Sequence, residues 1–306
     1  MFRSIFNSYL HQLLTANTQH KVERFFLQIA IISFVIHLGL IFLINYSVVS
    51  INTTSELLIS PIAAIYTPFS FLIVYEVYLL IYYLPRSVTS YVNKQYEIIL
   101  LIIMRRLFKD LSNLKISSDW FTIKYDLQFT YDLLSSLLLF YLIYIFYSQS
   151  QKKYHVDITN KKTEKGRLKY TAIKKNVASL LVPVVFILAI YSFVSWLIEI
   201  AITFEKSAEV FKNINNIFFE QFFTILIIAD VILLLFSFFH TDEFHKVIRN
   251  SGFIISTILI RISFSVDGIV NNILIVSAIL FGLSMLYIHN KFEKNLALKT
   301  DEYGET

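Results

Sequence analysis

Charged side chains inside apolar runs are the residues of this sequence with the clearest chemical potential. Asp230 lies between the apolar runs Thr224–Ala229 and Val231–Phe236, and Glu76 has a similar setting earlier in the chain. Arg261 is likewise flanked by apolar residues on both sides. An ionised side chain within a membrane is costly unless it meets a partner or water, and it marks a functional site by default. A carboxylate placed in this way can carry a proton or coordinate an ion.

The order of these charges is repeated along the chain. The stretch 75–109 has one acid in an apolar run, a polar connector, and a second apolar run that ends on two arginines. The stretch 229–261 has the same order, so that Glu76 corresponds to Asp230, and Arg105 or Arg106 corresponds to the arginine that ends the second stretch. The correspondence predicts an internal duplication in which acid and base pair across helices.

Each charge also has a plainer structural interpretation. Asp230 and Glu76 could form ion pairs or hydrogen bonds between helices without lining any path. Arg261 could extend to the outer membrane interface, and Arg105 stands at the end of its apolar segment, where interfacial anchoring is common. Asp132 begins the fourth apolar segment, and we expect it at a solvated helix end.

Position along the first hairpin predicts the partner of Glu76. Depth counted from the polar connector places Arg105 near the outer side of the membrane and Glu76 nearer the inner side, so Lys94 or Arg86 is the better placed partner. Glu97 begins the third apolar segment close to Lys94. We include Glu97 among the residues that could line a polar path across the membrane. The alternative is that Glu97 lies at a solvated helix end.

The composition identifies the class of protein that must position these charges. Of the 306 residues, 56% are hydrophobic and 16% are charged, against roughly 45–50% apolar and about 25% charged residues in soluble domains. Apolar runs of about 18 residues or more, which are typical of membrane spans, recur along the chain. The chain has no cysteine, so disulfides, thiol catalysis and cysteine-ligated metals are excluded.

We therefore predict an all-α, polytopic integral membrane protein with about eight transmembrane helices in two parallel four-helix repeats. Gln12 and its neighbours belong to a predicted amphipathic helix on the membrane surface, because apolar residues near it recur at helical spacing. The predicted regions are the interfacial helix 1–26, the first repeat 27–148, a basic cytoplasmic loop 149–177, the second repeat 178–289 and a polar cytoplasmic tail 290–306. The predicted spans are 27–49, 58–84, 88–108, 130–147, 177–204, 216–239, 251–265 and 269–289.

The loop charges set the predicted orientation. Nine Lys or Arg residues fall within 151–176, opposed by Asp157 and Glu164. Such an excess is typical of a cytoplasmic loop, and counting outward from it places both termini in the cytoplasm. The same loop is expected to attract anionic lipid headgroups. We expect no nucleic-acid binding, since no base-stacking or groove-reading element accompanies the positive charge. The Ile, Phe, Lys and Asn bias suggests an AT-rich bacterial genome, and hence the bacterial inner membrane.

Histidines and glycines offer little further chemistry. His37 stands in the middle of the first span, where a neutral, hydrogen-bonded imidazole is expected. The segment His240–His245 groups possible ligands but matches no metalloprotease motif, so no metal or other cofactor is predicted. With six glycines and no phosphate loop or nucleophile elbow, we expect a protein that is not an enzyme.

The four-helix repeat is loosely similar to voltage-sensor modules, since an acid on its second helix is followed by arginine on a later one. A voltage sensor carries Arg or Lys at every third position of one helix. Here Arg261 stands alone in its span, and Arg105 and Arg106 are adjacent. We therefore do not infer a voltage-sensing function for this chain.

These observations favour a channel or transporter that passes an ion, proton or small solute between the two halves. The residues expected to line its polar path are Asp230, Glu76, Arg261, Arg105 and Glu97. The alternative is a non-enzymatic membrane subunit or signalling component whose buried charges pair with partner helices, and a homo-oligomer or another membrane protein would then be its partner. A membrane-embedded lipid-modifying enzyme, based on His240–His245, is a third and weaker possibility.

Overall fold

The computed structural model describes residues 12, 14–47, 61–111, 124–152, 161–202, 207–239, 243–266 and 268–304. Some helical residues within these ranges, such as those at 161–167 and 192–202, are described by their backbone alone. The described residues are helical, with turns between helices and no strand. The α-helices are α1 (Ala16–Asn45), α2 (Tyr66–Tyr83), α3 (Val88–Leu111), α4 (Lys124–Ser150), α5 (Lys161–Ile202), α6 (Ser207–Phe238), α7 (Phe244–Ser263) and α8 (Ile269–Gly304).

The predicted all-α fold is confirmed within these ranges. Every predicted span coincides with one of the α-helices over most of its length, although residues 48–49, 58–60 and 203–204 lie outside the described part. Four segments are long and apolar enough to cross a membrane, namely Ala16–Asn45, Asp126–Ser150, Leu168–Leu188 and Ile269–Leu298. Shorter apolar segments, Thr67–Tyr83 and Phe222–Phe238, lie in α2 and α6. Crossing by all eight helices stays a prediction.

Local sequence explains where the helices begin and end. Thr15 caps α1, because its hydroxyl accepts a hydrogen bond from the backbone N–H of Thr18. Ser87 does the same for α3 by accepting from the N–H of Ser90 at 3.1 Å. Gly268, with φ of 82°, supplies the left-handed residue that turns the chain into α8.

Two predicted regional boundaries fall inside continuous helices. Residues 16–26, assigned to the interfacial helix, are the first turns of α1, and residues 1–11 lie outside the described part of the chain. The basic segment is helical from Lys161 and continues into the next predicted span as a single helix, α5. A 3₁₀ helix at Pro61–Ile65 leads directly into α2 at Tyr66.

The chain divides into two compact units. Unit 1 comprises Met1–Tyr82, Met104–Phe129 and Val177–Leu226. Unit 2 comprises Tyr83–Ile103, Thr130–Asn176 and Ile227–Thr306. Each unit takes segments from both predicted halves, so neither unit is one of the predicted four-helix repeats. The repeat itself stays a prediction.

The core of unit 2 is built around an aromatic cluster. Tyr96 and Phe146 meet edge to face with ring centroids 5.0 Å apart, and Phe146 meets Phe253 at 5.6 Å. The hydroxyl of Ser256 donates to the carbonyl of Ala278 at 2.6 Å, and the same oxygen lies 2.7 Å from the Tyr96 hydroxyl. Since Ser has one proton to donate, Tyr96 is the donor to Ser256. This cluster fixes α3 against α7 and α8.

Much of the helical surface is apolar. In α1 the buried residues are Ala30 and Ile41, while Ile31 and Val35 are more than half exposed. One face of α4 is equally apolar and exposed at Leu137 and neighbouring positions. Exposed apolar surface on this scale needs a covering of lipid or protein, which agrees with a membrane-embedded chain.

Candidate functional site

A buried charge network in unit 2 is the candidate site. Nη2 of Arg261 on α7 lies 3.0 Å from Oδ2 of Asp230 on α6. The Tyr91 hydroxyl donates to Oδ1 of Asp230 at 3.0 Å, and Nε2 of Gln95 donates to Oδ2 at 3.4 Å. The carboxylate, which is 2% exposed, therefore has one charged partner and two neutral donors. These three donors provide hydrogen-bond partners for both carboxylate oxygens.

Helix α3 supplies the two neutral donors. Tyr91 and Gln95 are four residues apart, and this spacing places them on one face of the helix. Both side chains are buried. Because Gln95 directs its amide nitrogen at Asp230, its Oε1 is left as a buried acceptor with no hydrogen-bond partner among the described residues. An orphaned buried acceptor is the kind of group that an internal water satisfies.

A small cavity adjoins the network within unit 2. It has a volume of about 20 Å³, measured as space for the centre of a water-sized sphere. One water needs roughly 10–15 Å³ on that measure together with two to four polar partners, so the cavity is large enough for a single water. The polar side chains of its wall include Asp230, Gln95, Tyr91, Lys174, Tyr170 and Asn250.

Lys174 is a buried cation in the wall of this cavity. Its side chain is buried, and Nζ donates to the backbone carbonyl of Arg86 at 2.7 Å. Nζ also lies 4.9 Å from the centre of the Tyr170 ring, whose hydroxyl donates to the carbonyl of Leu233. No carboxylate lies within ion-pair distance of Lys174 in the described part of the chain. Among the described residues, the charged side chains of the cavity wall are the cation Lys174 and the carboxylate Asp230.

Unit 1 contains the corresponding pair from the first hairpin. Arg105 Nη2 donates to Glu76 Oε2, and both side chains are 7% exposed. The structure thus pairs the acid of each predicted repeat with the arginine of the same repeat. The prediction that Lys94 or Arg86 would be the better placed partner of Glu76 is wrong.

That prediction assumes that α2 and α3 form a straight antiparallel hairpin. In such a hairpin two residues meet when they are equally far from the turn, and Arg105 is much farther from it than Glu76. Helices that cross at an angle or bend do not follow this rule. Pairing is then decided by helix geometry rather than by distance along the sequence.

The other predicted charges have different surroundings. Glu97 pairs with Lys94 and accepts from Nδ2 of Asn93 at 3.1 Å, all on α3, and its side chain is 39% exposed. The structure therefore does not bring Glu97 into the Asp230 network. Asp132, expected at a solvated helix end, is fully buried and accepts from Asn272 at 2.6 Å. That expectation is wrong, since α8 packs over the start of α4.

His37 has the hydrogen-bonded environment that the sequence predicts. Its Nδ1 lies within hydrogen-bond distance of the Thr67 hydroxyl in unit 1. The contact joins α1 to α2 and gives the ring nitrogen a partner inside an apolar helix pair. This arrangement agrees with a structural histidine.

Another polar cluster in unit 2 joins α7 to α8. Arg249 donates to Oδ1 of Asn250 from Nε and Nη2, and its Nη1 lies 2.7 Å from Nε2 of His289. Burial lowers the pKa of Arg249 to about 10, although the carboxylates of Glu293 and Glu243 act to raise it. The guanidinium therefore stays charged at neutral pH.

Sequence reasoning missed three members of the Asp230 site. Tyr91 and Gln95 give no sign of a site in the sequence, because each is uncharged and common on helix surfaces. Lys174 was counted among the charges of a basic loop, whereas it is buried in α5. Apolar residues around Lys174, at Ile173 and from Val177 onward, were the available signal.

Comparison with known proteins assigns no family to this arrangement, because no protein-family model, no curated protein and no solved structure matches the chain.

Proposed function

We propose that this chain is a non-enzymatic, multi-pass membrane transport protein that passes a proton or another small ion through unit 2. One observation carries the proposal: the buried carboxylate of Asp230 forms part of the wall of a cavity, lined by both polar and apolar side chains, whose wall also includes the buried cation Lys174. An intramembrane acid beside a cavity that is large enough for a water molecule is what a proton or ion pathway requires. The proposal includes eight spans in two repeats, both termini in the cytoplasm, and the bacterial inner membrane.

Two polar groups beside the cavity favour a transport path at Asp230 rather than a purely structural ion pair. A structural pair is stable when its hydrogen-bonding groups are fully satisfied. Here Gln95 keeps an acceptor without a partner among the described residues, and the Lys174 ammonium donates to a backbone carbonyl, that of Arg86. Both groups adjoin the same cavity. A water in that cavity would connect them to Asp230.

The arrangement suggests how a proton would act. Protonation of an Asp230 oxygen removes the negative charge and weakens the attraction to Arg261. The guanidinium of Arg261 then lacks the negative charge of Asp230 and would favour an anion or a water molecule nearby. Loss of the proton restores the pair, so the site has two charge states that one proton interconverts. Tyr91 and Gln95 keep the carboxylate in position in both.

The alternative of a partner subunit loses part of its basis. That interpretation requires buried charges that are neutralised by helices of another protein. Instead Asp230 pairs with Arg261, and Glu76 pairs with Arg105, inside the same chain. These contacts support transport over a subunit that depends on foreign helices for charge neutralisation.

The test is proton flux into liposomes that contain the full-length chain and a trapped pH-sensitive dye. We expect flux above that of empty liposomes under a pH gradient with a potassium diffusion potential. Asp230→Asn should lower this flux at least about tenfold, because an amide cannot cycle a proton at neutral pH. Glu23→Gln serves as the matched control, since this acid lies on α1 and pairs with His20 at a solvent-exposed position.

Two results would count against the proposal. Flux equal to that of empty liposomes, under proton gradients and under gradients of common anions and cations, would remove the transport function. Flux that survives Asp230→Asn unchanged, with the variant correctly folded, would place the path elsewhere.

A further inference from the structure

Three potential metal ligands converge where α7 begins and α8 leaves its apolar segment. Nε2 of His245 lies 3.1 Å from Oε1 of Glu293, and Nε2 of His289 lies 3.8 Å from the same oxygen. All three ligand atoms fall within 4.8 Å of one another. The two imidazole rings are stacked, with centroids 5.2 Å apart. His289 and Glu293 are four residues apart on α8, which places them on one helix face.

These separations suit a tetrahedral metal ion. Zinc binds histidine nitrogen and carboxylate oxygen at about 2.0–2.2 Å, so two ligand atoms of a tetrahedral site stand roughly 3.3–3.6 Å apart. The observed spacings to Glu293 lie on either side of that range. Two imidazoles and one carboxylate, with a fourth position for water, form a ligand set typical of Zn²⁺. Small side-chain rotations would complete the geometry.

The protonation of His289 is already suitable for binding a metal. Arg249 donates to Nε2 of His289 at 2.7 Å, so Nε2 carries a lone pair and the ring proton is on Nδ1. A metal would use that same lone pair. Nδ1 has no hydrogen-bond partner among the described residues.

The charges around the cluster show what a metal would replace. Glu243 and Glu293 supply two negative charges, and Lys246 lies 2.8 Å from Glu243 and 3.7 Å from Glu293. Arg249 is the other cation, with its guanidinium against His289. A bound cation at His289 Nε2 must displace the Arg249 guanidinium from that nitrogen. Arg249 would therefore compete with a metal ion for Nε2 of His289.

We propose that His245, His289 and Glu293 form a binding site for a divalent zinc ion that competes with Arg249 for His289. The site lies within unit 2 and joins α7 to α8, so occupancy would stabilise this helix pair. The side chains of His245 and Glu293 keep some accessible surface, at 12% and 16% exposed. The proposal is independent of ion passage at Asp230.

The test is zinc binding to the purified full-length chain in detergent. Zn²⁺ would be titrated against a chromophoric chelator, and Co²⁺ would be added separately to detect tetrahedral coordination by its visible absorption. We expect one Zn²⁺ per chain and an intense tetrahedral Co²⁺ spectrum. His245→Ala and Glu293→Gln should each weaken Zn²⁺ binding by at least about tenfold.

Arg249→Met gives the sharper outcome, because it should tighten Zn²⁺ binding by about tenfold through removal of the competing cation. This gain of affinity cannot arise from misfolding. His20→Ala, which removes an exposed histidine from α1, is the matched control and should leave the affinity unchanged. Wild-type binding no tighter than that of His245→Ala would overturn the proposal, and so would Arg249→Met binding that is unchanged or weaker.

Discussion

At the scale of single residues, the two buried acid–base pairs differ in what surrounds them. Glu76 and Arg105 form a close pair in unit 1. In unit 2, Asp230 pairs with Arg261 and also accepts hydrogen bonds from Tyr91 and Gln95. Asp230 also lines a cavity. Because a buried ion pair often contributes little net stability compared with apolar residues of the same size, its presence needs a second reason. The cavity beside Asp230 supplies one for that pair.

Removing one partner of the Asp230 pair should destabilise the protein strongly. Asp230→Ala leaves the Arg261 guanidinium buried without its counter-charge, and we expect a loss of about 3–5 kcal/mol in the free energy of unfolding. The double variant Asp230→Leu with Arg261→Met should recover most of this loss, since no charge is then left buried. Unfolding in mixed micelles would measure both values. Equal stability of the single variant and the wild type would contradict the buried-pair description.

The pair in unit 1 should behave differently from the pair in unit 2. Glu76→Gln is expected to lower the stability of the protein while proton flux per folded molecule stays within about twofold of wild type. The matched change Asp230→Asn should abolish flux. Liposome flux normalised to folded protein would separate the two. Loss of flux in Glu76→Gln with unchanged stability would assign the first pair to the path as well.

At the scale of helices, α7 and α8 form a close antiparallel pair whose contact depends on glycine. A methyl group added at Gly282 would collide with the Tyr96 hydroxyl of α3, which bonds Ser256 of α7. The absence of a side chain at Gly282 therefore lets three helices meet around one hydroxyl. Helix α3 supplies this contact through Tyr96, and it supplies the donors to Asp230 through Gln95, the preceding residue, and Tyr91.

Gly282→Ala should destabilise the protein by about 1–3 kcal/mol, the usual penalty for overpacking. The double variant Gly282→Ala with Tyr96→Phe removes the colliding oxygen and should regain part of that stability. Gly39→Ala is the control, because nothing lies within 4 Å of the position of its added methyl group. Alanine at Gly39 is expected to be neutral or stabilising by up to about 1 kcal/mol. Thermal unfolding in detergent measures all three variants, and equal effects of the two alanines would contradict the packing account.

At the scale of the whole molecule, the division into units and the division into predicted halves are different. The boundary between the units falls within α3, α4, α5 and α6, and it separates the last residue of α2, Tyr83, from the rest of that helix. A repeat along the sequence therefore need not be a compact unit in space. The recurrence of an acid–arginine pair in each half still agrees with a duplication.

Orientation can be tested directly, because the chain has no cysteine and single cysteines can be added without background. Three predicted spans separate Asn52 from Lys162, so these two positions should face opposite sides. In intact cells a membrane-impermeant maleimide should label Asn52→Cys, whereas Lys162→Cys and Lys291→Cys should react after permeabilisation. Labelling of Asn52→Cys and Lys162→Cys from the same side would show that one intervening segment does not cross.

Much of the fold could be predicted because its signals are local. Apolar runs such as that of α1, and caps such as Ser87 before α3, locate helices with little dependence on the rest of the chain. The candidate acids were also visible, since a charge within an apolar run is conspicuous in any membrane sequence. The burial of Lys174 and Asp132 was not visible, because it depends on helices distant in sequence that cover them.

The sequence by itself determined that this protein is helical, apolar enough for a membrane, and charged at a few interior positions. These properties follow from composition, periodicity and run length, which are properties of short segments. The tertiary structure decided that Arg105 rather than Lys94 or Arg86 pairs with Glu76, and that Tyr91 and Gln95 serve Asp230. The physical reason is that partners are set by the rotation and crossing of whole helices. Contacts between such distant positions are not encoded in any one segment.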